Sequence, residues 1–250
     1  MRVTVLGCGT SGGVPRIDGH WGACDPHNAR NRRRRVSILV EDGAGRLLVD
    51  TSPDLRLQCL DAGITGLDAV FYTHDHADHT AGIDDLRGLV WRMGRRVPVY
   101  GSAETLATLR RRFGYVFEQV GDYPPICEAR ELNGALTIAG IAVQPFAQEH
   151  GDLTSWGYRF GKVAYSTDLN GLPDDSAALL EGLDLWIVDA LRYEPHPTHF
   201  HLAATLEWIA RLKPKRAILT HMTWDMDYDT LREQLPEDVT PAYDGMVLEV

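Results

Sequence analysis

Cysteine is scarce in this sequence, and no stretch of it stays apolar for long. The cysteines number four in 250 residues and lie far apart, which argues against the dense disulfide framework of small secreted domains. No apolar run approaches the ~20 residues that cross a bilayer. A glycine follows residues 1–6, so this stretch is too short to form the apolar core of a secretory signal peptide. We therefore expect a reduced, cytoplasmic protein without a membrane partner.

An excess of positive charge is also missing, because the formal net charge is −10. Such a field does not attract nucleic acid, so a nucleic-acid partner is not expected. The exception is the basic run at residues 32–35, in which every residue is arginine. Such a run is either a solvated face or a rim that binds phosphate, since arginine pairs with phosphate through two parallel hydrogen bonds. On the second alternative, Arg34 is a candidate substrate-binding residue.

Length and composition favour one globular unit. Hydrophobic residues make up 44% of the chain and charged residues 24%, which is ordinary for a folded domain. At this length one core is the default, and no repeat or low-complexity segment divides the chain. We expect a single domain over residues 1–250, with a homodimer as its candidate assembly.

The densest chemical signal is the heptapeptide from Thr73 to His79, which holds three histidines and two aspartates. It follows an apolar strand, residues 69–72, and precedes a run that resembles a helix, residues 80–93. In an extended segment, side chains two positions apart share a face, so His74 and His76 point together. Asp78 and His79 can hold a second ion. Imidazole and carboxylate suit zinc, manganese or iron.

The same placement recurs along the chain, because one predicted strand after another ends in a titratable residue. Sites in sheet-based folds collect at strand ends and in the loops that follow them. The series therefore predicts one shared site, and its members are Asp50, His74, His150, Asp168, Asp189 and His221.

The order His-x-His-x-Asp-His resembles the signature of the metallo-β-lactamase fold hydrolases. The resemblance implies an α+β fold, a four-layer αββα sandwich, with two divalent metal ions, zinc or manganese, at one edge. It also implies two ligand sets that share Asp168. The first is His74, His76, His150 and Asp168, and the second is Asp78, His79, His221 and Asp168.

Two cations roughly 3.5–4 Å apart need a shared anionic ligand and lower the pKa of a bridging water to about 7. The same pair neutralises phosphate oxygens as charge builds in the transition state. We therefore expect a phosphodiesterase that attacks with a metal-bridging hydroxide, in which Asp78 counts as both a ligand and a catalytic residue.

Within this superfamily the chain is most similar to the cyclic phosphodiesterases of the carbon–phosphorus lyase pathway, which open phosphoribosyl 1,2-cyclic phosphate. The resemblance implies a small phosphorylated substrate, either that ester or a related nucleotide-like diester. It assigns His199 as general acid or phosphate contact, His201 as a helix cap or a substrate-side residue, and Asp189 as a residue that orients a histidine. The segments that carry it are residues 12–15, 21–22, 98–101, 156–158, 166–168, 171–173, 220–221 and 244–246.

One feature of that branch is missing. Its members hold a structural zinc through three cysteines after Trp-Gly and a histidine three residues beyond the last ligand. This chain keeps only Cys24 in that loop, and Trp224 stands in place of the histidine. His20 and His27 lie near Cys24 in sequence, but a structural zinc usually needs four ligands. We expect that this zinc is absent and that the chain falls in a neighbouring subgroup of the branch.

Other functions share parts of this pattern. Ribonuclease Z has the same two-metal motif, but the protruding Gly/Lys-rich arm that binds transfer RNA is missing here. A glyoxalase II-type thioester hydrolase and a non-catalytic nucleotide-binding or metal-sensing module are further alternatives. A secreted β-lactamase would need a signal peptide. Turnover of a phosphodiester against a thioester separates the phosphodiesterases from the thioester hydrolase, and all of these from a module without turnover.

Overall fold

Fourteen strands form two seven-stranded sheets in the computed structural model, which describes residues 1–250. Six strands of the first sheet come first in the chain, and they are β1 (Arg2–Gly7), β2 (Ser37–Asp42), β3 (Gly45–Val49), β4 (Ala69–Phe71), β5 (Val97–Gly101) and β6 (Cys127–Glu131). The second sheet follows, with β7 (Leu136–Ile138), β8 (Ile141–His150), β9 (Leu153–Phe160), β10 (Val163–Ser166), β11 (Leu185–Asp189), β12 (Ala217–Thr220) and β13 (Val239–Pro241). The last strand, β14 (Val247–Glu249), returns to the first sheet beside β1.

Helices connect and cover the strands. They are α1 (Leu55–Asp61), α2 (Ala77–Thr80), α3 (Leu86–Met93), α4 (Ala103–Phe117), α5 (Asp174–Ala178), α6 (Leu202–Leu212) and α7 (Tyr228–Gln234), with short 3-10 turns at Ala29–Asn31 and Ile83–Asp85. No helix is both long enough and apolar enough to cross a membrane.

Each sheet is antiparallel at one side and parallel at the other. In the first sheet β3, β4, β5 and β6 run parallel, and in the second β10, β11, β12 and β13 do so. The carboxyl ends of parallel strands meet at one edge of a sheet, which gathers the residues that follow them.

Apolar side chains fill two regions. One cluster lies between the sheets and extends to α6; Val5 and Phe71 of the first sheet and Tyr158 and Ile187 of the second belong to it. The other lies on the outer face of the first sheet, where Leu48 and Val70 meet α1, α3 and α4. Alternate residues of a strand serve opposite faces, so each inner strand supplies both regions. The αββα sandwich expected from the sequence is confirmed.

The helix expected over residues 80–93 is interrupted. The structure has α2, a 3-10 turn and α3 in its place. Gly82 lies at the break, where a Cβ atom would come within 2.1 Å of the Ser52 carbonyl oxygen. Its N–H donates to the Thr51 carbonyl at 2.9 Å. The close approach requires glycine and takes the chain out of helical geometry.

Candidate metal centre

The strand ends bring the predicted donors together at one edge of the sandwich. His74, His76, His150 and Asp168 form one group, and Asp78, His79, Asp168 and His221 form another, with the donor atoms of each group within 4.8 Å of one another. These are the two sets that the resemblance implied, and each is suited to a divalent cation by its imidazole and carboxylate donors.

Asp168 stands between the two groups. Its Oδ1 lies 3.9 Å from Nε2 of His74, whereas its Oδ2 lies 3.2 Å from Nε2 of His79 and 3.6 Å from Nε2 of His221. The carboxyl group is buried, with 3% of the side chain exposed. One carboxylate thus directs one oxygen toward each group, which is the arrangement that a bridging ligand requires.

The other ring nitrogen of three buried histidines is held by the protein. Nδ1 of His79 lies 2.7 Å from Oδ2 of Asp50, and Nδ1 of His150 lies 2.7 Å from the Thr198 carbonyl oxygen. Nδ1 of His74 lies 3.0 Å from the Thr73 hydroxyl. Such contacts fix the ring orientation and leave Nε2 for a metal.

The Nε2 atoms of His74, His79 and His221 are buried and have no hydrogen-bond partner. A buried polar atom without a partner carries a desolvation cost of roughly 1–3 kcal/mol. Three such atoms directed at shared carboxylates are explained if a cation accepts their lone pairs. The residues present therefore fit the metal pair that the fold family implies.

The charges of the cluster agree with this reading. Burial alone would lower the pKa of His79, but Asp168, Asp78 and Asp50 raise it well above its ordinary value. Burial, followed by the neighbouring His79, lowers the pKa of His74. The carboxylates around His79 thus favour positive charge in this pocket, and divalent cations would supply it in place of protons.

The backbone is strained at three positions of this edge. Asp50, Asp168 and His221 adopt positive φ angles of 64°, 55° and 58°. Left-handed geometry is uncommon outside glycine and clusters at functional sites. Aspartate and histidine therefore occupy positions at which the backbone angle favours glycine.

A third donor group lies beside the first two and contains Asp189, His199 and His221. Nδ1 of His199 is 2.9 Å from Oδ2 of Asp189, and Nε2 of His199 is 3.9 Å from Oδ1 of Asp168. Nδ1 of His221 is 3.7 Å from Asp189, beyond hydrogen-bond distance. Asp189 thus orients His199 directly, with the Nε2 of His199 facing the bridging carboxylate.

The roles of two residues were not predicted from the sequence. Asp50 was noted only as a strand end, yet it is fully buried and accepts hydrogen bonds from the N–H and hydroxyl of Thr73 and contacts His79. The second residue is His196, whose ring lies 5.1 Å from that of His199. The positions of Asp50 and Thr73 after neighbouring parallel strands were the available signal.

Arg34 is not brought to this cluster. Its guanidinium lies 2.7 Å from Oδ2 of Asp61 and lines a cavity on the outer face of the first sheet. His201 is the N-cap residue of α6 and makes no capping hydrogen bond with its side chain. The structure therefore gives no support to Arg34 as a substrate ligand, and it favours the cap position for His201.

The loop that lacks the branch's thiols is organised around Trp224. The Arg16 guanidinium lies 4.9 Å from its ring centre, and His20 packs edge-on at 6.1 Å. The Trp224 carbonyl accepts the N–H groups of Ala23 and Cys24. Cys24 contacts Arg33 rather than His20 or His27. Aromatic and backbone contacts thus hold the loop that zinc-bound thiolates hold in the related branch.

Comparison with known proteins agrees with this geometry. The beta-lactamase superfamily domain matches residues 45–222. The chain resembles the crystal structure of a new diphosphatase from the PhnP family, with a TM-score of 0.91 and 38% identity over 100% of this chain and 97% of that one. Zn²⁺-bound PqqB from Methylobacterium extorquens has a TM-score of 0.78 at 21% identity, with both chains fully covered, and shows a shared fold.

Curated relatives are longer. The chain is 34% identical over 254 residues to an octanoyltransferase of Porphyromonas gingivalis (strain ATCC BAA-308 / W83), covering 98% of this chain and 51% of that protein. It is 31% identical over 178 residues to ribonuclease Z of Bradyrhizobium sp. (strain ORS 278), covering 68% of this chain and 53% of that protein. The chain thus spans about half the length of the curated relatives it matches.

Proposed function

This chain belongs to the β-lactamase superfamily, and we propose that it is a phosphodiesterase dependent on two divalent metal ions, zinc or manganese. Its substrate would be a small cyclic phosphate ester, either phosphoribosyl 1,2-cyclic phosphate or a related nucleotide-like diester. The observation that carries the proposal is the position of Asp168, whose two oxygens face two separate histidine groups while His199 approaches from a third side.

Each part of the cluster has a role in this proposal. His74, His76 and His150 would hold one cation, and Asp78, His79 and His221 the other, with Asp168 shared. When bound, the pair supplies an ionised water as nucleophile and neutralises charge on the phosphate oxygens. The protein keeps the imidazoles of His74, His79 and His150 aimed inward through their Nδ1 contacts.

His199 would protonate the leaving oxygen. Asp189 accepts its Nδ1–H, which places the transferable proton on Nε2, the nitrogen that faces the cluster. Burial would raise the pKa of Asp189, but His199 and then His221 lower it, so the carboxylate stays ionised. An ionised partner stabilises the imidazolium form and thus the acid that a poor leaving group needs.

Turnover assays test the reaction class. Metal-loaded protein should hydrolyse bis-p-nitrophenyl phosphate, and among natural esters it should prefer five-membered cyclic phosphates of ribose. The Asp168→Ala variant provides the inactive control. Hydrolysis of a thioester without turnover of any phosphodiester would overturn the proposal.

Diphosphate hydrolysis is a second candidate, favoured by the 38% identity to a PhnP-family diphosphatase over the whole chain. Both reactions move a phosphoryl group between oxygen atoms and use the same cations and acid. A linear dinucleoside diphosphate beside the cyclic ester in one assay separates them by the ratio of kcat/KM values. The assay panel also includes precursor transfer RNA, because of the ribonuclease Z relative.

A further inference from the structure

A cavity lies away from the metal centre, on the outer face of the first sheet. It encloses about 450 Å³ between β1, β2, α1 and the turn before β14, and no residue of the two ligand sets lines it. Four arginines do, namely Arg2, Arg32, Arg34 and Arg46. We call it the arginine cavity. A volume of this size is typical of sites for nucleotide-sized ligands.

Some guanidinium groups of the arginine cavity are weakly engaged, whereas Nε of Arg46 donates to Oε1 of Glu41 at 3.1 Å. Arg32 has no carboxylate partner and lies 5.1 Å from the ring centre of Trp21. Arg2 reaches Glu41 only at 3.8 Å. Arg34 pairs with Asp61, whose side chain is 66% exposed. Exposed ion pairs contribute little to stability, so an anionic ligand can replace these contacts at small cost.

The floor of the arginine cavity is apolar, whereas its rim is charged. Leu6, Leu39 and Ile64 line it, and each is buried. Thr4 lies beside them at 7% exposure. An apolar floor beneath a guanidinium rim suits a molecule with a flat apolar part and a phosphate group, since arginine binds phosphate through charge-assisted hydrogen bonds.

We propose that the arginine cavity is a second binding site, specific for a small organic phosphate monoester of nucleotide size. The phosphate would lie between Arg32 and Arg34, and the organic part would cover Leu6 and Leu39. Four arginines and three carboxyl groups line the cavity, so its formal charge is +1, in a chain whose net charge is −10. The field of such a cavity attracts anions that the rest of the surface repels.

The cavity wall is joined to the metal centre through backbone hydrogen bonds. The Arg34 carbonyl accepts the N–H of Gly9 at 2.7 Å, and the N–H of Thr10 donates to the Met222 carbonyl at 3.2 Å. Met222 directly follows His221, and its N–H donates to Cys8. A ligand that shifts the Arg34 segment would therefore displace the backbone next to His221. We expect ligand binding to change the kcat or KM of the reaction at the metal centre.

Calorimetry with adenosine monophosphate as the probe tests the site. The wild type should bind it with a Kd below about 1 mM, and the double variant R32A/R34A should bind at least roughly tenfold more weakly. The matched control is Arg96→Ala, which removes an exposed arginine that does not line the cavity. As a second probe of the floor, Leu39→Trp should fill the cavity and reduce binding similarly.

The metal centre is a competing location for the same probe, so Asp168→Ala is measured in parallel. Binding that survives in Asp168→Ala and is lost in R32A/R34A supports the cavity. Binding that is lost in Asp168→Ala and kept in R32A/R34A overturns the proposal, as does no binding to the wild type at millimolar concentration. Inorganic phosphate that binds as tightly as the nucleotide would overturn the role of the apolar floor. These outcomes are independent of which ester the metal centre hydrolyses.

Discussion

Asp189 and His199 form a hydrogen-bonded pair at the rim of the metal centre, with Oδ2 of the carboxylate 2.9 Å from Nδ1 of the imidazole. Asp189 is completely buried at the end of β11, whereas the side chain of His199 is 12% exposed. The pair therefore joins a fixed carboxylate to an imidazole that a substrate can reach. This geometry gives the clearest mutational prediction.

Loss of His199 should depend on the leaving group. General acid help is typically worth 10²–10⁴-fold when a basic alkoxide leaves, and a nitrophenolate needs little of it. His199→Ala should therefore reduce kcat for a ribose cyclic phosphate far more than for bis-p-nitrophenyl phosphate, with metal content unchanged. Equal losses on both substrates would make His199 a phosphate-positioning residue. Loss of the metals would make it a ligand.

Removal of the shared carboxylate should be more severe than removal of Arg34. Without Asp168, two cations face each other through a medium of low dielectric constant without the anion between them. Asp168→Ala should abolish turnover and lower metal content, whereas Arg34→Ala, whose side chain pairs with Asp61, should have the smaller effect. Near-normal turnover and metal content in Asp168→Ala would contradict the assembled site.

About two metal ions should be found per chain. Each of the two donor groups can hold one ion, while His20 packs on Trp224 and Cys24 contacts Arg33 instead of joining a third cluster. Elemental analysis of the metal-replete protein measures the ratio. A third, tightly held zinc that persists in variants of His74 and Asp168 would contradict the prediction and point back to the loop around Trp224.

Stability should fall as the pH rises through the titration of Asp244. Burial raises the pKa of Asp244 to about 6 against an ordinary value of 3.8, although N–H groups of Arg34 and Cys8 oppose the shift. Between these values the folded chain holds a proton that the unfolded chain releases, so this group lowers the unfolding free energy by up to about 3 kcal/mol above pH 6.

Denaturant unfolding of the wild type and Asp244→Asn, measured from pH 4 to pH 7 at equal metal occupancy, isolates this contribution. The unfolding free energy of the wild type should fall relative to that of Asp244→Asn as the pH rises from 4 to about 6. Above that pH the difference between the two should stay constant. A difference that stays constant with pH would mean that Asp244 is ionised throughout.

The sequence allowed the donors to be predicted because their signal is local. His74, His76, Asp78 and His79 stand in one heptapeptide, and the later donors each follow an apolar strand of clear pattern. Most of them follow parallel strands, whose carboxyl ends meet at one edge of a sheet, whereas His150 ends the antiparallel strand β8. The αββα layers were expected only from the resemblance of the motif to the metallo-β-lactamase fold hydrolases.

Roles that depend on contacts between distant segments were harder to predict. The contact of Asp50 with His79 exists only because β3 and β4 pair in parallel at one register. The sequence of the arginine run does not indicate which side chain turns inward. In the structure Arg33 is 2% exposed and donates hydrogen bonds to two backbone carbonyls, whereas Arg34 lines the arginine cavity. Side-chain direction in an irregular loop has no periodicity from which to predict it.

The left-handed turns at Asp168 and His221 have a practical consequence for making catalytically silent protein. Alanine at either position would keep an unfavourable backbone angle that costs about 1–2 kcal/mol, whereas glycine adopts it without penalty. Asp168→Gly and His221→Gly should therefore yield inert chains with higher melting temperatures than their alanine counterparts. Such chains would be the better inactive controls for turnover assays.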